Sequence, residues 1–366
     1  MMGKERALLL SSLLFVGSLY GVELNKNLSL DISITSVYQE AKFFKDLSGS
    51  VGKGSIATDI GLNFHPTDED QAQLTFSFAA GNALNPTFED KGFTLVPYAD
   101  DLENDLKNIN GRNRDYLLEA WYQHTFRWEG LKISPTVGII DSTAYIDDNA
   151  YANDETTQFM NDVFVNNPLA RLPSYDLGGV IQIEKENLTF KGLVMNTKND
   201  QGQDYDYYAV QLGYSLNVPS LGSGNYRIYY YRTTKDFENS RGERDYIEGI
   251  GLSLDQELNQ YLGSFLRLGL NTHPSTGDYK NLLSGGVQLS GNLWGRSKDI
   301  FAVGWAYLDG NPKVSEIKNS IVGEAYYKIP LTEYSDLTLD GQYYTEKHTD
   351  QSLGAWAFGL RLNVSF

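Results

Sequence analysis

The sequence has no cysteine and only 4 histidines in 366 residues. Without cysteine the chain can form no disulfide, no thiolate zinc site and no cysteine nucleophile. The histidines, at positions 65, 124, 273 and 348, are too far apart to predict a metal site or a Ser-His catalytic pair. The acidic run Asp147-Asp148-Asn149 lacks the glycine and the closing glutamate of a calcium loop. We therefore expect no cofactor, no bound metal and no enzymatic activity.

Long apolar runs are also missing. The apolar run over residues 7–19 is shorter than the roughly 18 residues that a membrane-spanning helix requires, and no later stretch stays apolar over that length. This excludes a helical membrane protein. It does not exclude a β-barrel, in which only alternate residues face lipid.

Positive charge is scarce: 30 Lys and Arg stand against 47 Asp and Glu, for a formal net charge of -17. No basic stripe is present, and phosphate contacts need clustered Lys and Arg. We therefore expect no nucleic-acid partner. The surplus carboxylates fit solvated loops, and a cation site is the alternative.

The N-terminus has the pattern of a secretory signal peptide. Lys4 and Arg6 precede the apolar residues 7–19, and the small residue Gly21 follows. We predict a signal peptide over residues 1–21 and one exported domain over residues 22–366. The protein is then expected in the outer membrane of a Gram-negative bacterium.

The last strand has two unlike faces. Apolar residues occupy every second position, and small, polar or charged residues lie between them: Trp356, Phe358, Leu360, Leu362, Val364 and Phe366 against Ala357, Gly359, Arg361, Asn363 and Ser365. A closed barrel can leave such an apolar face bare in lipid. The alternative is an edge strand of a soluble sandwich. A terminal strand ending on Phe366 also resembles the signal read by the barrel-assembly machinery.

Alternation with a period of two continues through most of the chain, in about sixteen segments. The connections alternate between long ones, such as residues 82–115 and 141–175, and short ones, such as residues 128–130 and 185–187. We predict an all-β fold, a transmembrane antiparallel β-barrel of about 16 strands with short periplasmic turns and long extracellular loops.

Residues 141–175 form the long connection that looks most ordered. Asn153 is a predicted helix N-cap, with Asp154 and Glu155 in the first turn and Pro168 at the end. A folded loop of this kind could enter the lumen and present its acids to solute, with arginines opposite. The candidate constriction residues are Arg112, Arg114, Asp141, Asn149, Asp154 and Glu155.

Polar residues with lumen parity form a second candidate group. Amides, acids and arginines along the wall could exchange hydrogen bonds with hydroxyl groups of a solute, or simply wet the pore. The lumen-lining candidates are Glu119, Gln123, Gln211, Arg267, Gln288, Glu324, Gln342 and Arg361. Arg361 must face inward, because arginine at mid-bilayer on the lipid face costs about 2 to 4 kcal/mol.

Several short segments of the sequence resemble those of one known family. They are Asn153-Asp154-Glu155-Thr156-Thr157-Gln158-Phe159, Asn166-Asn167-Pro168, the strand end Gly138 to Asp141, and the segments 118–123, 292–296, 324–328 and 337–343. Over residues 116–366 the chain resembles the carbohydrate-selective porin (OprB) family. The resemblance implies a sixteen-strand outer-membrane channel for sugars and similar small solutes, with a homotrimer expected by analogy. Gln342-Tyr343 continues into Tyr344-Thr345, where the family often has Pro-Gly.

The leading hypothesis is therefore a passive diffusion channel for carbohydrates, in contact with outer-membrane lipid. A non-selective general porin is one alternative. A barrel enzyme such as a lipase or protease is another, and a β-rich binding protein that is soluble or surface-attached is the third.

Overall fold

The computed structural model describes residues 21–366, so the predicted signal peptide lies outside the described residues except for Gly21. One antiparallel sheet contains 18 strands. Val22–Asn25 is a short extension paired with the first wall strand, and Leu117–His124 and Phe126–Trp128 are two parts of one wall strand, which leaves 16 strands in the wall. The predicted fold class is confirmed.

The wall strands follow one another around the barrel in chain order. They are β1 (Leu28–Lys45), β2 (Ser50–Phe64), β3 (Asp70–Ala80), β4 (Leu117–His124 and Phe126–Trp128), β5 (Leu131–Ile140), β6 (Asp176–Lys185), β7 (Leu188–Lys198), β8 (Asp204–Val218), β9 (Gly222–Thr233), β10 (Glu248–Asn259), β11 (Leu262–Asn271), β12 (Tyr279–Ser290), β13 (Ile300–Gly310), β14 (Ile317–Pro330), β15 (Ser335–His348) and β16 (Ser352–Ser365). Outside the wall, Phe237–Glu238 pairs with Arg244–Asp245.

The first and last strands close the barrel. β1 pairs with β16 in a register that runs from Ser33 opposite Ser365 to Lys45 opposite Leu353. Beyond this ladder, the Phe366 N–H donates to the Ile32 carbonyl (2.8 Å), and the Ile32 N–H donates to the Phe366 carbonyl (3.1 Å). Closure leaves no unpaired sheet edge, which a bilayer would not tolerate.

The two faces of the wall differ as the alternation predicts. On β16, Phe358 is 58% exposed and Leu360 is 48% exposed, whereas the intervening Arg361 is fully buried inside the barrel. The large apolar residues on the outer surface thus form a continuous lipid-facing layer. Among the helices of residues 21–366, none is long and apolar enough to cross a membrane.

One end of the barrel has short turns and the other has long loops. The connections between β4 and β5 and between β6 and β7 are two residues each, and Gly130 in the first of them has a φ of 78°. Glycine adopts this left-handed conformation without strain, which suits a two-residue hairpin turn. At the opposite end, residues 81–116 and 141–175 form two extended segments, as predicted. We call them the first and the second inner loop.

The two inner loops contain most of the helical turns. The first inner loop holds α1 (Asn85–Asp90) and a 3-10 turn (Ile109–Gly111); the second holds α2 (Asp162–Val165) and the 3-10 turns Ser142–Ala144 and Pro168–Ala170. A further 3-10 turn, Gly291–Trp294, lies among the short connections.

The predicted helix start in the second inner loop was wrong. Asn161, not Asn153, caps α2 and accepts from the Val163 N–H. Asp154 instead closes a local turn, because its carboxylate accepts from the backbone N–H groups of Thr156 (2.8 Å) and Thr157 (3.1 Å). An aspartate followed by two threonines favours such a turn over a helix.

Half of the barrel interior is a dry core. Phe159 of the second inner loop lies 5.0 Å from both Phe164 and Tyr326 of β14, measured between ring centroids. Gly304 on β13 faces them, and a Cβ there would approach the Phe164 ring to 2.9 Å. The inner loops therefore pack against the β11–β16 side, and a second apolar cluster, which includes Ile146 and Ala170, packs the second inner loop against β4–β9.

Arginine at two positions on β16 tests the lipid-facing layer. Leu360→Arg is expected to lower the free energy of unfolding by about 2 to 4 kcal/mol, because Leu360 lies near the middle of the strand and therefore near the bilayer midplane. Val364→Arg, near the strand end, is the control and is expected to cost about 0 to 1 kcal/mol. Guanidinium unfolding in lipid vesicles measures both. Equal losses at the two positions would contradict this placement.

Candidate functional site

A buried arginine of the wall holds the second inner loop inside the barrel. Arg267 on β11 has 0% exposed surface, and its Nε lies 2.8 Å from an oxygen of the Asp147 carboxylate. Its guanidinium also donates to the carbonyl oxygens of Asp147 (3.0 Å), Ala152 (2.6 Å) and Phe164 (2.6 Å). The rigid fork of N–H donors suits such multiple contacts. Arg267 therefore ties three separate points of the loop to the wall.

Asp148 joins the same loop to strands β7, β8 and β9. Its carboxylate lies 3.2 Å from the Lys191 ammonium and 2.7 Å from the Arg227 guanidinium, and it accepts from the Gln211 amide at 2.6 Å. Burial alone would raise the pKa of Asp148, but Lys191, Arg227 and Gln211 bring it down to about 2. The carboxylate thus stays ionised near neutral pH and keeps its contacts.

Strands β14 and β15 contact both inner loops. Glu324 on β14 accepts from the backbone N–H groups of Met160 (2.6 Å) and Asn161 (3.0 Å). Gln342 on β15 donates to the Pro97 carbonyl of the first inner loop at 2.9 Å. Because Glu324 accepts two backbone N–H groups, this contact fixes the middle of the second inner loop.

Arg361 on β16 also fixes the second inner loop to the wall. Its Nη1 donates to the carbonyl oxygens of Glu155 (2.6 Å) and Gln158 (3.0 Å). Five of the eight predicted lumen-lining residues thus contact the inner loops: Gln211, Arg267, Glu324, Gln342 and Arg361. Their inward direction agrees with the sequence parity, but the loops cover them, so we interpret them as loop anchors.

The other three lumen candidates are not the main anchors of the inner loops, although Glu119 accepts from the Asp141 backbone N–H at the start of the second inner loop. Gln123 lies on the wall of the cavity near the short turns and donates to the Thr136 hydroxyl at 2.8 Å. Glu119 accepts from the Thr75 hydroxyl at 3.2 Å, and Gln288 accepts from the Tyr326 hydroxyl at 3.3 Å.

Two polar cavities lie on either side of the second inner loop. The inner cavity, toward the short turns, has a volume of about 320 Å³ between strands β3–β9 and the loop. The outer cavity, on the long-loop side, has a volume of about 300 Å³ between the two inner loops. Thr143 lines the outer cavity and its neighbour Ala144 lines the inner one. The cavities therefore approach each other at the start of the second inner loop, which is the candidate constriction.

Carboxylates gather at this constriction. Asp101 of the first inner loop and Asp141 and Glu155 of the second line the outer cavity. Burial, and then the charges of Asp154 and Asp100, raise the pKa of Glu155 well above its usual range. Burial raises the pKa of Asp100 to about 7, with the charge of Asp59 as the next contribution in the same direction.

Hydrogen bonds hold the acids in place. Asp141 accepts from the Thr143 N–H (3.0 Å) and the Ser174 hydroxyl (2.9 Å), and Asp101 accepts from the Tyr175 hydroxyl (2.5 Å). Burial raises the pKa values of Asp141 and Asp101, against the effect of these bonds. We call Asp59, Asp100, Asp101, Glu119, Asp141, Asp154 and Glu155 the acidic ring.

The two arginines expected opposite these acids lie elsewhere. Arg112 forms ion pairs with Asp176 (3.3 Å) and Asp204 (2.7 Å) at the ends of β6 and β8. Arg114 donates to the backbone carbonyl of Tyr175. Both bind strand ends and connecting backbone, because these acceptors lie within reach of the loop where it returns to the wall. The predicted field between arginines and acids is therefore wrong.

Asn149 also differs from its predicted place at the constriction. It is 2% exposed and donates to the Ser253 hydroxyl (3.1 Å) and the Leu254 carbonyl (3.2 Å) of β10, although it also borders the inner cavity. Asp154 and Glu155 do lie at the acidic ring.

Three members of the acidic ring were not predicted from the sequence: Asp59, Asp100 and Asp101. On β2, Asp59 lies between Thr58 and Ile60 of the outer face, so the alternation along the strand could have shown that Asp59 faces the interior. Asp100 and Asp101 lie in an irregular loop, where no periodicity exists. Within residues 21–366, no group of three or more His, Asp or Glu is arranged to hold a metal ion.

Comparison with known protein families identifies one family. The model of the carbohydrate-selective porin, OprB family, matches residues 61–366. An uncharacterized protein of Aquifex aeolicus (strain VF5) is 34% identical over 337 residues, which cover 91% of this chain and 93% of that protein. The high-pH structure of Pseudomonas putida OprB matches with a TM-score of 0.70 and 13% identity, covering 93% of this chain and 94% of that one. The low-pH structure of the same protein matches with a TM-score of 0.54, 13% identity and 93% coverage of each chain.

Removing the Arg267 guanidinium tests the loop anchor. Arg267→Met leaves the Asp147 carboxylate buried without its partner, at a cost of about 3 to 5 kcal/mol, so the second inner loop should loosen. We expect larger and noisier single-channel conductance from a barrel that keeps its heat-modifiable mobility on gels.

Arg296→Met is the control for this variant. Arg296 also pairs with an aspartate, Asp299, but its side chain is 56% exposed on a short connection. Its conductance should equal that of the wild type. Unchanged conductance in Arg267→Met as well would show that the loop does not depend on this arginine.

Proposed function

This chain belongs to the OprB family of carbohydrate-selective porins, and we propose that it is a passive channel for sugars and similar small hydrophilic solutes across the outer membrane of a Gram-negative bacterium. Family membership rests on the match over residues 61–366. The fold supports the proposal, since the barrel is closed, apolar outside and polar around its two cavities. A narrowed, hydrated passage of this kind suits diffusion of polyhydroxy solutes.

The main support for the proposal is the polar lining of the cavities. The inner cavity is bordered by amide, hydroxyl and charged groups such as Gln71, Gln123, Gln182 and Thr189, with the Trp121 ring among them. Amides and hydroxyls both donate and accept hydrogen bonds, so they can replace the water around a sugar one contact at a time. Weak, successive contacts let the solute leave as well as enter.

Two further partners belong to the proposal. Outer-membrane lipid would contact the exposed apolar layer, and the barrel-assembly machinery would recognise the C-terminal strand. The Phe366 ring lies 5.9 Å from the Tyr334 ring, at the short-turn end of the barrel. A homotrimer stays a prediction, which native mass spectrometry in detergent tests.

Transport measurements test the channel. Purified protein should give stable conductance steps in planar bilayers, and glucose or maltooligosaccharides should reduce that conductance because they occupy the passage. Proteoliposomes should swell in isotonic glucose. Conductance that no sugar alters would favour a general porin. A sealed barrel with hydrolytic activity would favour the enzyme and contradict the proposal.

Deleting Phe366 tests recognition by the assembly machinery. The deletion should lower the amount of folded protein in the outer membrane, because it removes the terminal aromatic residue and two backbone hydrogen bonds to Ile32. Phe64→Ala is the control, since Phe64 is also an exposed aromatic at the short-turn end, at 45% against 42% for Phe366. Equal surface amounts for deletion and wild type would refute the assignment.

A further inference from the structure

We propose that the constriction selects among solutes by charge: it passes neutral and cationic solutes, amino sugars with an ammonium group included, and retards sugar acids and sugar phosphates. The inference rests on the proposed channel function and assigns this selectivity to the acidic ring.

The acidic ring has no compensating positive charge in direct contact. Within residues 21–366, none of its seven carboxylates forms an ion pair with a Lys, Arg or His side chain. This is unusual for the chain, since most of the buried charges that anchor the second inner loop are paired, such as Asp147 with Arg267 at 2.8 Å. A solute entering the constriction therefore meets carboxylates that no side-chain cation neutralises.

The nearest basic side chains are engaged with other groups. Arg361 donates to the carbonyl oxygens of Glu155 and Gln158, behind the loop. Lys328 donates to the Thr157 carbonyl at 3.0 Å. Arg112 and Arg114 bind strand ends and the Tyr175 backbone. Each of these cations is thus engaged with a backbone carbonyl or with a carboxylate outside the acidic ring.

Unfilled hydrogen-bond acceptors beside the ring provide a second, independent observation. Gln73 on β3 is 4% exposed, and its Oε1 has no hydrogen-bond partner. Its Nε2 donates to the Thr75 hydroxyl (3.0 Å), which in turn donates to Glu119 of the ring (3.2 Å). A buried amide oxygen without a donor is costly. Within residues 21–366 it therefore stands as an open acceptor beside Glu119.

The outer cavity shows the same excess of acceptors. Its lining includes Asn153 and Asp162, and the Oδ1 atom of each is buried without a partner. Ammonium groups only donate hydrogen bonds, hydroxyls can donate, and carboxylates and phosphates mainly accept. The lining therefore matches ammonium and hydroxyl groups and opposes anions by both hydrogen bonding and charge.

The inner cavity is balanced by comparison. Asp148 pairs with Lys191 and Arg227, Arg227 also pairs with Asp255 at 2.7 Å, and Lys132 pairs with Glu184 at 2.7 Å, so the three bases are matched by three acids. Paired charges of opposite sign create little net field at a distance. Selection by charge thus belongs to the acidic ring rather than to the whole passage.

The reversal potential across a potassium chloride gradient tests the selectivity of the wild-type channel. The measurement is made at pH 8, above the pKa of about 7 of Asp100, and repeated at pH 10, because burial raises the pKa values of Asp101 and Glu155 and more of the ring is ionised at the higher pH. We expect potassium to be favoured over chloride by on the order of tenfold in dilute salt, and less in concentrated salt, because salt screens exposed charge. A ratio near one, or a preference for chloride, would overturn the inference.

Matched variants assign the effect to the ring. Asp101→Asn combined with Glu155→Gln keeps the size of both side chains and one acceptor oxygen on each, removes the charge, and should reduce the ratio several-fold. Asp90→Asn, on the exposed end of α1 in the same inner loop, is the control and should leave it unchanged. An unchanged ratio in the double variant would overturn the assignment.

Liposome swelling separates this inference from the proposed function. Glucose and glucosamine should enter wild-type proteoliposomes faster than glucuronate does, and the double variant should narrow the difference. If glucose and glucuronate enter equally fast, the charge selection fails while the sugar channel stands. If no sugar enters although potassium is selected over chloride, the sugar channel fails instead.

Discussion

The closure of β1 onto β16 is the constraint on which the rest of the structure depends. A bilayer offers no water to unpaired N–H and C=O groups, so a sheet can cross it only as a complete cylinder. The sequence meets this requirement with strands whose side chains alternate between apolar and polar, from Leu28 to Ser365. Once the cylinder is closed, every polar side chain of the wall shares a single interior. What fills that interior then decides what can pass.

The interior is filled mainly by the protein itself. Buried ion pairs are usually weak contributors to stability, yet breaking one is costly, and here they fix a loop that has no sheet to join. Arg267 and Asp147, with Asp148 between Lys191 and Arg227, hold the second inner loop on one side. The dry packing around Phe159 and Phe164 holds it on the other. Solute is left with the inner cavity, bordered by β3–β9, and the outer cavity between the two inner loops, where the acidic ring lies.

Much of the fold could be predicted from the sequence, because a period of two is imposed on each strand by its own geometry. The limits of the second inner loop, residues 141–175, were predicted for the same reason, since the alternation stops there. The helix cap was missed because the preference of Asn153-Asp154 for a cap competes with the turn that Thr156 and Thr157 complete.

The site was harder to predict than the fold. Parity gave the inward direction of Arg361 and Gln342 but could not distinguish a residue that meets solute from one that a loop covers. That difference depends on contacts between residues far apart in the chain, such as Gln342 with Pro97. Arg112 and Arg114 likewise bind groups at strand ends that are distant from them in the sequence, so their positions could not be predicted.

The accessibility of successive residues along β16 is the sharpest test that the barrel has its apolar face in lipid and its loops inside. The chain has no cysteine, so single cysteines can be introduced for labelling. Single cysteines placed in turn from position 356 to 362 would carry a spin label, and collision with oxygen in lipid would be measured in vesicles. The account predicts high collision rates at 356, 358, 360 and 362, and low rates at 357, 359 and 361, which face the filled interior. Rates without this alternation would contradict a barrel with its apolar face in lipid and its loops inside.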